Sequence, residues 1–412
     1  MKTTKFKGGA LLFALSILLF SCVLITLFLS FVQGSSKIND KHLNYYAGIN
    51  KMEEGIRLGS YLNTSTYVGT KADKTDNLEV MKKPWGLYTV VAAKVELDSR
   101  NTISKVGLIG QRINQDYCLY LANSNSKLSL TGNTLIEGNC FLPKSGVDIS
   151  FVEGKSFERK KLVEGKIVNS KTELPLIDLL YIKNNRTLLK GIFNPKTDSL
   201  VSMDQIISKK IAHSFFKKTL VISGNSSLFL GNSWELSGNI VIHSSSKITI
   251  GKGAKLSNII VCANDIMMEK GVDISAQLIG ANTLILDSNS TLSYPSSVLT
   301  IGKNSNIQLK GNASLNGTLV SYSKEANSMN SVSIGKNSVV TGLIYCTNET
   351  ELKGTVRGKI ITQKFFHQSP STTYTNTLID AKITNKNLPD IYSCSSFLKE
   401  NIKQTSVLTW LK

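Results

Sequence analysis

The sequence predicts a mainly β protein in which a single N-terminal transmembrane helix is followed by a small β module and a β-helix, or solenoid, of about 18-residue coils. Two observations carry this prediction. Residues 10–32 contain no charged side chain, and the C-terminal half repeats one phrase of apolar and small polar residues. The composition agrees, because 41% hydrophobic content over 412 residues supplies a large core and thirty glycines suit repeated tight turns.

The N-terminus predicts the compartment. Residues 1–9 are expected to form a cytoplasmic leader, since Lys2, Lys5 and Lys7 precede the apolar stretch. At about 1.5 Å per residue, a helix over residues 10–32 is long enough to cross the ~30 Å hydrocarbon core of a lipid bilayer. The chain is therefore expected to be a single-pass inner-membrane protein, with its N-terminus in the cytoplasm and its bulk periplasmic or extracellular.

The processing of this segment stays open between three alternatives. An uncut membrane anchor explains most of its composition. The motif LFSC that ends at Cys22 resembles a bacterial lipobox and implies acylation of Cys22, although Phe20 is bulky for its place. The third alternative is removal of the basic leader, which would leave a mature chain that begins near Gly8, Gly9 or Ala10.

Residues 33–62 predict a membrane-proximal amphipathic helix. With the apolar stretch before them, residues 5–62 resemble the N-terminal helix of minor type IV pilins and pseudopilins. This resemblance implies that a basic leader is cut after a glycine and that the helix packs into a filament. The sequence departs from the family because no acid stands near Ala14, where major subunits carry a glutamate. The apolar face of the amphipathic helix is predicted from Tyr45, Ile49, Met52 and Ile56.

Between the helix and the repeat, the sequence predicts two further segments. Residues 63–170 are expected to form a small β module, within which residues 118–146 share the apolar and Gly-Asn pattern of the later repeat. Residues 171–218 are expected to form a partly helical connector, because the spacing of apolar residues there is helical rather than alternating.

The repeat is predicted over residues 219–364, where each copy alternates apolar residues and then turns through Gly, Lys, Asn and Ser. Three equivalent positions, 250, 268 and 286, are 18 residues apart. A strand–turn unit of this length cannot bury its apolar face alone, so neighbouring copies are expected to stack. Residues 365–412 are expected to form a C-terminal cap. The equivalent apolar positions, predicted to form the core of the repeat, are Leu230, Ile250, Met268, Leu286, Leu309 and Ile334.

Residues 332–361, VSIGKNSVVTGLIYCTNETELKGTVRGKII, resemble the polymer-forming bactofilins. The resemblance implies a short β-helix that joins end to end with other copies, without nucleotide or metal. The overall layout is also similar to that of envelope proteins of Bacteroidota, a resemblance that implies no activity.

The sequence predicts no catalytic, cofactor-binding or metal-binding residues. The four histidines show no metal-ligand spacing with one another or with cysteine. His243 is expected to be a turn residue, although the adjacent phrase IGKGAKL resembles hexapeptide-repeat acyltransferases, which use a histidine as general base. Asp265 and Asp273 are expected to be solvated acids beside turns.

Five cysteines follow the apolar stretch. Cys262 and Cys346 are expected to be small buried thiols, since they stand beside apolar strand positions. Cys118 and Cys140 are a candidate disulfide for an oxidising compartment, and spacing alone leaves their pairing open.

The net charge limits which partners are expected. The formal net charge is +19, yet the lysines of the repeat stand singly at turns and no stripe of basic and aromatic residues is present, so no nucleic-acid partner is expected. We therefore expect a non-enzymatic, membrane-anchored structural or assembly protein of the bacterial cell envelope, a pilin-like or bactofilin-like component that self-associates or joins other envelope subunits. The alternative is a periplasmic module that binds a glycan or an acidic cell-wall polymer, and a hexapeptide-type acyltransferase ranks third.

Overall fold

The computed structural model describes residues 9–61, 70–71, 78–98, 101–325, 327–386, 388–399 and 404–411. Within these residues the helices are α1 (Gly9–Tyr61) and α2 (Leu179–Leu189), and one 3₁₀ turn spans Met203–Gln205. The predictions of a mainly β protein and of one long apolar N-terminal helix are both confirmed.

The first helix, α1, is continuous over 53 residues, where the sequence analysis expected two successive helices over residues 10–32 and 33–62. The second predicted segment begins with QGSS, residues 33–36, which include no proline, and propagation from the turns on either side offsets the cost of about 1 kcal/mol for Gly34. The helix is long and apolar enough to cross a membrane.

The strands are short and numerous. The first ten are β1 (Thr70–Lys71), β2 (Leu78–Trp85), β3 (Tyr88–Glu96), β4 (Thr102–Arg112), β5 (Leu119–Leu121), β6 (Leu128–Thr131), β7 (Leu135–Glu137), β8 (Cys140–Leu142), β9 (Val147–Ile149) and β10 (Ile167–Asn169). The next ten are β11 (Asp198–Ser202), β12 (Lys210–His213), β13 (Thr219–Gly224), β14 (Leu228–Leu230), β15 (Glu235–Gly238), β16 (Ile240–Ile250), β17 (Lys255–Met268), β18 (Asp273–Gly280), β19 (Thr283–Leu286) and β20 (Thr291–Ile301). The remainder are β21 (Asn306–Leu309), β22 (Ser314–Tyr322), β23 (Ser331–Ile334), β24 (Val339–Leu352), β25 (Thr355–Gln368), β26 (Thr373–Thr375), β27 (Thr377–Ile379), β28 (Lys382–Thr384), β29 (Ser393–Cys394) and β30 (Thr405–Leu411).

An antiparallel sheet follows α1. Strands β1 to β4 pair in chain order, and the late strands β29 and β30 both pair with β4. A two-residue turn joins β2 to β3, and its first residue, Gly86, has a φ of +59°, which glycine adopts without steric cost. Because side chains alternate along a strand, Val91 and Ala93 face α1 whereas Val90 and Ala92 face the parallel sheet.

The six predicted core positions of the repeat lie in one column of the parallel sheet. Ile250 pairs with Met268, Met268 with Leu286, and the same register continues in both directions. Each of these side chains is at most 1% exposed, so the column forms one continuous apolar interior. The column in order is Leu230, Ile250, Met268, Leu286, Leu309, Ile334 and, one copy further, Leu352.

The parallel sheet closes on itself like a barrel, where the sequence analysis expected a solenoid. The closure has a local cause, because the longest strands turn a corner and pair on two sides. Strand β17 pairs with β18 through its first part and with β19 through residues 266–268. Strand β24 likewise pairs with both β22 and β23.

The order of strands in the parallel sheet differs from their order in the chain. Residues 119–169 were assigned to the small β module, but β5 pairs with β25 and β8 and β10 continue the sheet beyond it. Strands β6, β9 and β27 form a separate three-stranded parallel sheet. The shared apolar and Gly-Asn pattern indicated the strand type of this segment, while the pairing partner depends on contacts 241 residues apart, between Leu119 and Ile360.

The predicted connector and the predicted cap each contain several elements, which join different parts of the fold. Within the predicted connector, α2 is helical and β11 and β12 join the parallel sheet. The predicted cap supplies β28 to the parallel sheet and then returns to the antiparallel sheet through β29 and β30.

The core has three apolar layers. One fills the interior of the parallel sheet, and a second lies between that sheet, α2 and the antiparallel sheet. The third lies between the antiparallel sheet and the C-terminal part of α1, around Met52 and Ile56. The antiparallel sheet therefore connects the long helix to the parallel sheet.

Candidate assembly surfaces

The part of α1 before Gly48 is an exposed rod, and residues 10–32 of this rod are apolar. The most apolar window of the helix is 0% buried, and the side chains of Leu11, Phe13 and Phe31 are each at least 70% exposed. At about 1.5 Å per residue, the part of α1 before Gly48 extends about 58 Å from the rest of the protein. The apolar surface of residues 10–32 is stable only when lipid or other helices cover it.

The last four turns of α1 pack closely on the antiparallel sheet through glycines. A Cβ atom built on Gly48 would lie 2.3 Å from Leu97 Cδ2, and one on Gly59 would lie 2.7 Å from Val91 Cγ1. An added methyl group would therefore displace neighbouring side chains: the end of the half-buried Leu97 at Gly48, and the buried Val91 at Gly59. The buried face consists of Gly48, Met52, Gly55, Ile56 and Gly59.

This buried face only partly matches the predicted one. Met52 and Ile56 are buried as expected, whereas Tyr45 is 47% exposed and Ile49 is half-buried. The buried face was predicted from the positions of large apolar side chains, and its glycines were therefore missed. The spacing Gly55-x-x-x-Gly59 could have indicated them, because small residues four apart let a helix approach its neighbour.

The predicted processing residues lie at the exposed end of the helix. Gly8 lies outside the described residues. Gly9 is the first residue of α1, and both it and Ala10 are exposed. Cys22 is also exposed, in the middle of the apolar rod. In the sequence three lysines precede the helix, and Cys22 lies thirteen residues after its first residue.

The closed parallel sheet has two basic edges, one at each end of its stack of strands. At one edge β10 presents Ile167 and Val168, beside Ile149 of β9 in the three-stranded sheet; these side chains are 46–58% exposed, and β9 and β10 are each hydrogen-bonded on one side in the described part of the chain. At the other edge β11 presents Leu200, which is 63% exposed. Residues 144–168 carry six basic and four acidic side chains, a net +2, and residues 196–218 carry five and two, a net +3.

His243 lies in strand β16 rather than in the turn that the sequence predicted. The C-terminal end of α2 covers it, and its Nε2 lies 3.4 Å from the Leu189 carbonyl oxygen while its Nδ1 lies 3.4 Å from Ser223 Oγ. Burial lowers the pKa of His243, so the ring is neutral at pH 7. Neither of these two contacts is with a carboxylate.

The two acids that were considered for chemistry stabilise neighbouring strands. Asp265 Oδ1 accepts a hydrogen bond of 3.1 Å from the Thr283 backbone nitrogen, and Asp273 Oδ1 accepts one of 2.8 Å from Ser293 Oγ. Among the described residues, no group of three or more His, Cys, Asp or Glu side chains is arranged to hold a metal ion.

The cysteines that follow α1 are all buried thiols. Cys262 and Cys346 lie in the parallel sheet, and burial raises the pKa of both, that of Cys346 to about 11. The Sγ atoms of Cys118 and Cys140 are 3.8 Å apart in neighbouring segments, which brings together the pair that the sequence left open.

The exposed rod, its glycine-lined contact with the sheet and the two basic edges are thus the features that distinguish this surface. Comparison of the chain with profiles of known protein families, with curated proteins and with solved structures finds no match.

Proposed function

We propose that this chain is a non-enzymatic, membrane-anchored structural subunit of a bacterial envelope assembly. The observation that carries the proposal is α1, one helix whose first part is an exposed apolar rod and whose last turns are fixed to an antiparallel sheet. A rod held rigidly in this way can insert in a bilayer and can also pack against the rods of other subunits.

The pilin-like form of this proposal rests on the same helix. The resemblance of residues 5–62 to minor pilins and pseudopilins implies a helix that is stored in the membrane and later packed into a filament. Three small residues, Ala10, Ala14 and Ser16, lie near the N-terminus of the rod and would permit close packing against another helix there. The basic leader orients the helix with the two sheets on the outer side of the inner membrane.

The mass and the N-terminal sequence of the protein isolated from its native membrane test this proposal. A mature chain that begins at Gly9 or Ala10 supports a pilin-like subunit. An acylated N-terminus at Cys22 identifies a lipoprotein and contradicts both the pilin-like and the uncut forms. A chain that begins at Met1 leaves a plain anchored scaffold. Cleavage that persists when Gly8 and Gly9 are both changed to Leu would show that the glycines do not direct it.

A bactofilin-like subunit is the alternative to a pilin-like one within the same structural role. It interprets the parallel sheet as stacked coils, because each member of the column from Leu230 to Ile334 pairs with its equivalent in the next copy. Unpaired strand edges promote end-to-end association. Both edges of this sheet carry a net positive charge, which opposes association between copies at low salt.

The basic edges favour one further candidate, the binding of an acidic cell-wall polymer. A segment of residues 45–412 that sediments with purified anionic polymer at 20 mM salt and is released at about 500 mM salt would support it. Filaments of the same segment that form only at high salt would support end-to-end association instead.

A further inference from the structure

A cavity of about 470 Å³ lies where the turn between β2 and β3 meets α2 and the outer face of the parallel sheet. Its walls are mainly apolar and include Trp85, Leu188, Ile192, Phe193 and Val241. Volumes of this size, with an apolar lining and few polar groups, are typical of sites for small molecules. The cavity is far in sequence from the rod of α1 and does not depend on the proposed assembly role.

Lys83 supplies a cation to the cavity. Its Nζ donates to Asn239 Oδ1 at 2.8 Å and to Thr219 Oγ1 at 3.1 Å, and it lies 5.0 Å from the centre of the Trp85 ring. An ammonium has three N–H donors, and these two contacts use two of them. Burial lowers the pKa of Lys83 to about 8, against the opposing charge of Asp198, so an additional anion would stabilise its charged form.

Asn185 supplies the second polar group, and it is fully buried on the wall of the same cavity. Its Nδ2 donates to the carbonyl oxygens of Gly86 at 2.9 Å and Tyr181 at 2.8 Å. Its Oδ1 has no hydrogen-bond partner. A buried acceptor without a partner costs about 1–3 kcal/mol, which a donor from a bound molecule would recover.

Asp198 restricts the charge that the cavity accepts. It lies on the wall, and its two oxygens accept from the Asn194 backbone nitrogen at 2.8 Å and from Thr197 Oγ1 at 3.1 Å. Its carboxylate repels a second anionic group beside the one that Lys83 attracts. The cavity therefore suits a monoanion with an apolar body.

We propose that this cavity binds a small molecule in which one carboxylate is joined to an apolar body and to an N–H donor. The carboxylate contacts Lys83, the apolar body packs against Trp85 and Phe193, and the N–H donates to Asn185. An N-acyl amino acid and the carboxyl end of an apolar peptide share this chemistry.

Calorimetric titration of the unmodified chain in detergent at pH 7, with three matched small molecules, tests the proposal. N-Acetyl-L-phenylalanine carries all three groups, N-acetyl-L-phenylalaninamide lacks the carboxylate, and 3-phenylpropanoate lacks the N–H donor. We expect the amide to bind at least tenfold more weakly than the acid, with 3-phenylpropanoate between them. Tighter binding of the tripeptide Ala-Ala-Phe than of the acetylated amino acid would indicate a peptide end, and weaker binding a small molecule. Equal binding of acid and amide, or no binding of the acid at 10 mM, would overturn the proposal.

Variants locate the carboxylate. Lys83→Met keeps the apolar stem and should weaken N-acetyl-L-phenylalanine about tenfold, a typical loss for one charge-assisted hydrogen bond. Lys82→Met is the matched control, because Lys82 Nζ donates instead to the Ser60 carbonyl oxygen at 3.2 Å, and it should bind like the unmodified chain. Unchanged affinity of a folded Lys83→Met chain would place the ligand elsewhere.

The pH dependence gives a readout that does not need a variant. Affinity for the acid should fall about tenfold between pH 7 and pH 9, because Lys83 loses its proton with a pKa of about 8. The other groups that face Lys83 and the cavity are the Asp198 carboxylate and, beyond the wall, His243, whose lowered pKa keeps it neutral over this range. An affinity independent of pH would contradict contact between the carboxylate and Lys83.

Discussion

The glycines of α1 decide how closely the helix approaches the antiparallel sheet. A methyl group at Gly59 meets two valine side chains, while a methyl group at Gly34, in the exposed rod, meets no atom within 4 Å. Helix propensity favours alanine at both positions by up to about 1 kcal/mol. Packing reverses that preference at Gly59 alone, so the same substitution should have opposite effects at the two sites.

We predict that Gly59→Ala lowers the free energy of unfolding by about 1–3 kcal/mol, because the added Cβ would lie 2.7 Å from Val91 Cγ1 and 2.8 Å from Val80 Cγ1. Gly34→Ala is the control and should leave stability unchanged or raise it slightly. Urea unfolding followed by far-UV circular dichroism in detergent measures both. Equal effects of the two substitutions would mean that α1 does not rest on the sheet through Gly59.

The thiols of Cys118 and Cys140 are close enough to oxidise with little movement of the chain. We predict that the protein from an oxidising compartment carries this disulfide, since side-chain rotation alone can bring together sulfurs that are 3.8 Å apart. Peptide mapping without reductant should show residues 118 and 140 linked and Cys262 and Cys346 as free thiols. The hydrogen bond with the Cys118 thiol, together with burial, raises the pKa of Cys140, so the reduced pair should resist alkylation until the chain unfolds.

Some of the individual residues that matter for packing and for the cavity could be predicted from the sequence, and others could not. The column from Leu230 to Ile334 could be predicted because a regular period places equivalent residues at equivalent sites. Lys83 and Asn185 could not, since they line one cavity only after the hairpin and α2 pack together, and neither stands in a recognisable motif. Gly48 and Gly59 were overlooked because an apolar helix face was expected to consist of large side chains.

Among the elements, α1 has two parts in different surroundings, an exposed rod and a packed end. The rod before Gly48 has no role in the three apolar layers, whereas the last turns share a layer with β2, β3 and β4. The sequence predicted the apolar part from composition alone. The continuity of the two parts depends on the absence of a helix-breaking residue between them, which is a weaker signal than the change of polarity near Gln33.

We predict that removal of residues 1–44 yields a soluble protein with an unchanged core. The melting temperature should move by less than about 2 °C, because the deleted side chains stabilise no buried layer. Removal of residues 405–412, which are fewer, should instead lower the melting temperature by 10 °C or more or abolish folding, since β30 pairs along β4. Calorimetry of the two truncated chains measures this, and similar losses in both would contradict the division of α1.

For the whole molecule, the parallel sheet is expected to unfold as one unit. Leu286 contacts neighbours on both sides of the column, so its truncation affects several strands at once. We predict that Leu286→Ala lowers the free energy of unfolding by about 2–5 kcal/mol without a second transition. Ile285→Ala, on the more exposed side of the same strand, should cost about 1 kcal/mol or less. Two resolved transitions in the Leu286 variant would show that the sheet is not cooperative.

The sequence indicated the two largest features of the molecule, a long apolar helix and a β-rich repeat. It did not indicate that the antiparallel sheet takes its last strands from the end of the chain, since β30 reads as an ordinary apolar segment. It also did not indicate that β5 and β8 lie beyond β25. Both arrangements depend on which edges are available after the other strands have paired, and local patterns carry no such information.

The return of β30 to β4 has a consequence for how the protein is made. Val407 pairs with Ile109, 298 residues earlier, and Ile360 pairs with Leu119. Because the chain is synthesised from its N-terminus, β4 and β5 emerge long before their partners, and their edges stay unpaired in the meantime. Such non-local pairing folds slowly and exposes aggregation-prone intermediates. We therefore expect the nascent chain to need a holding chaperone until its final residues emerge, and a prematurely terminated polypeptide to be recognised by proteases through its incomplete sheet.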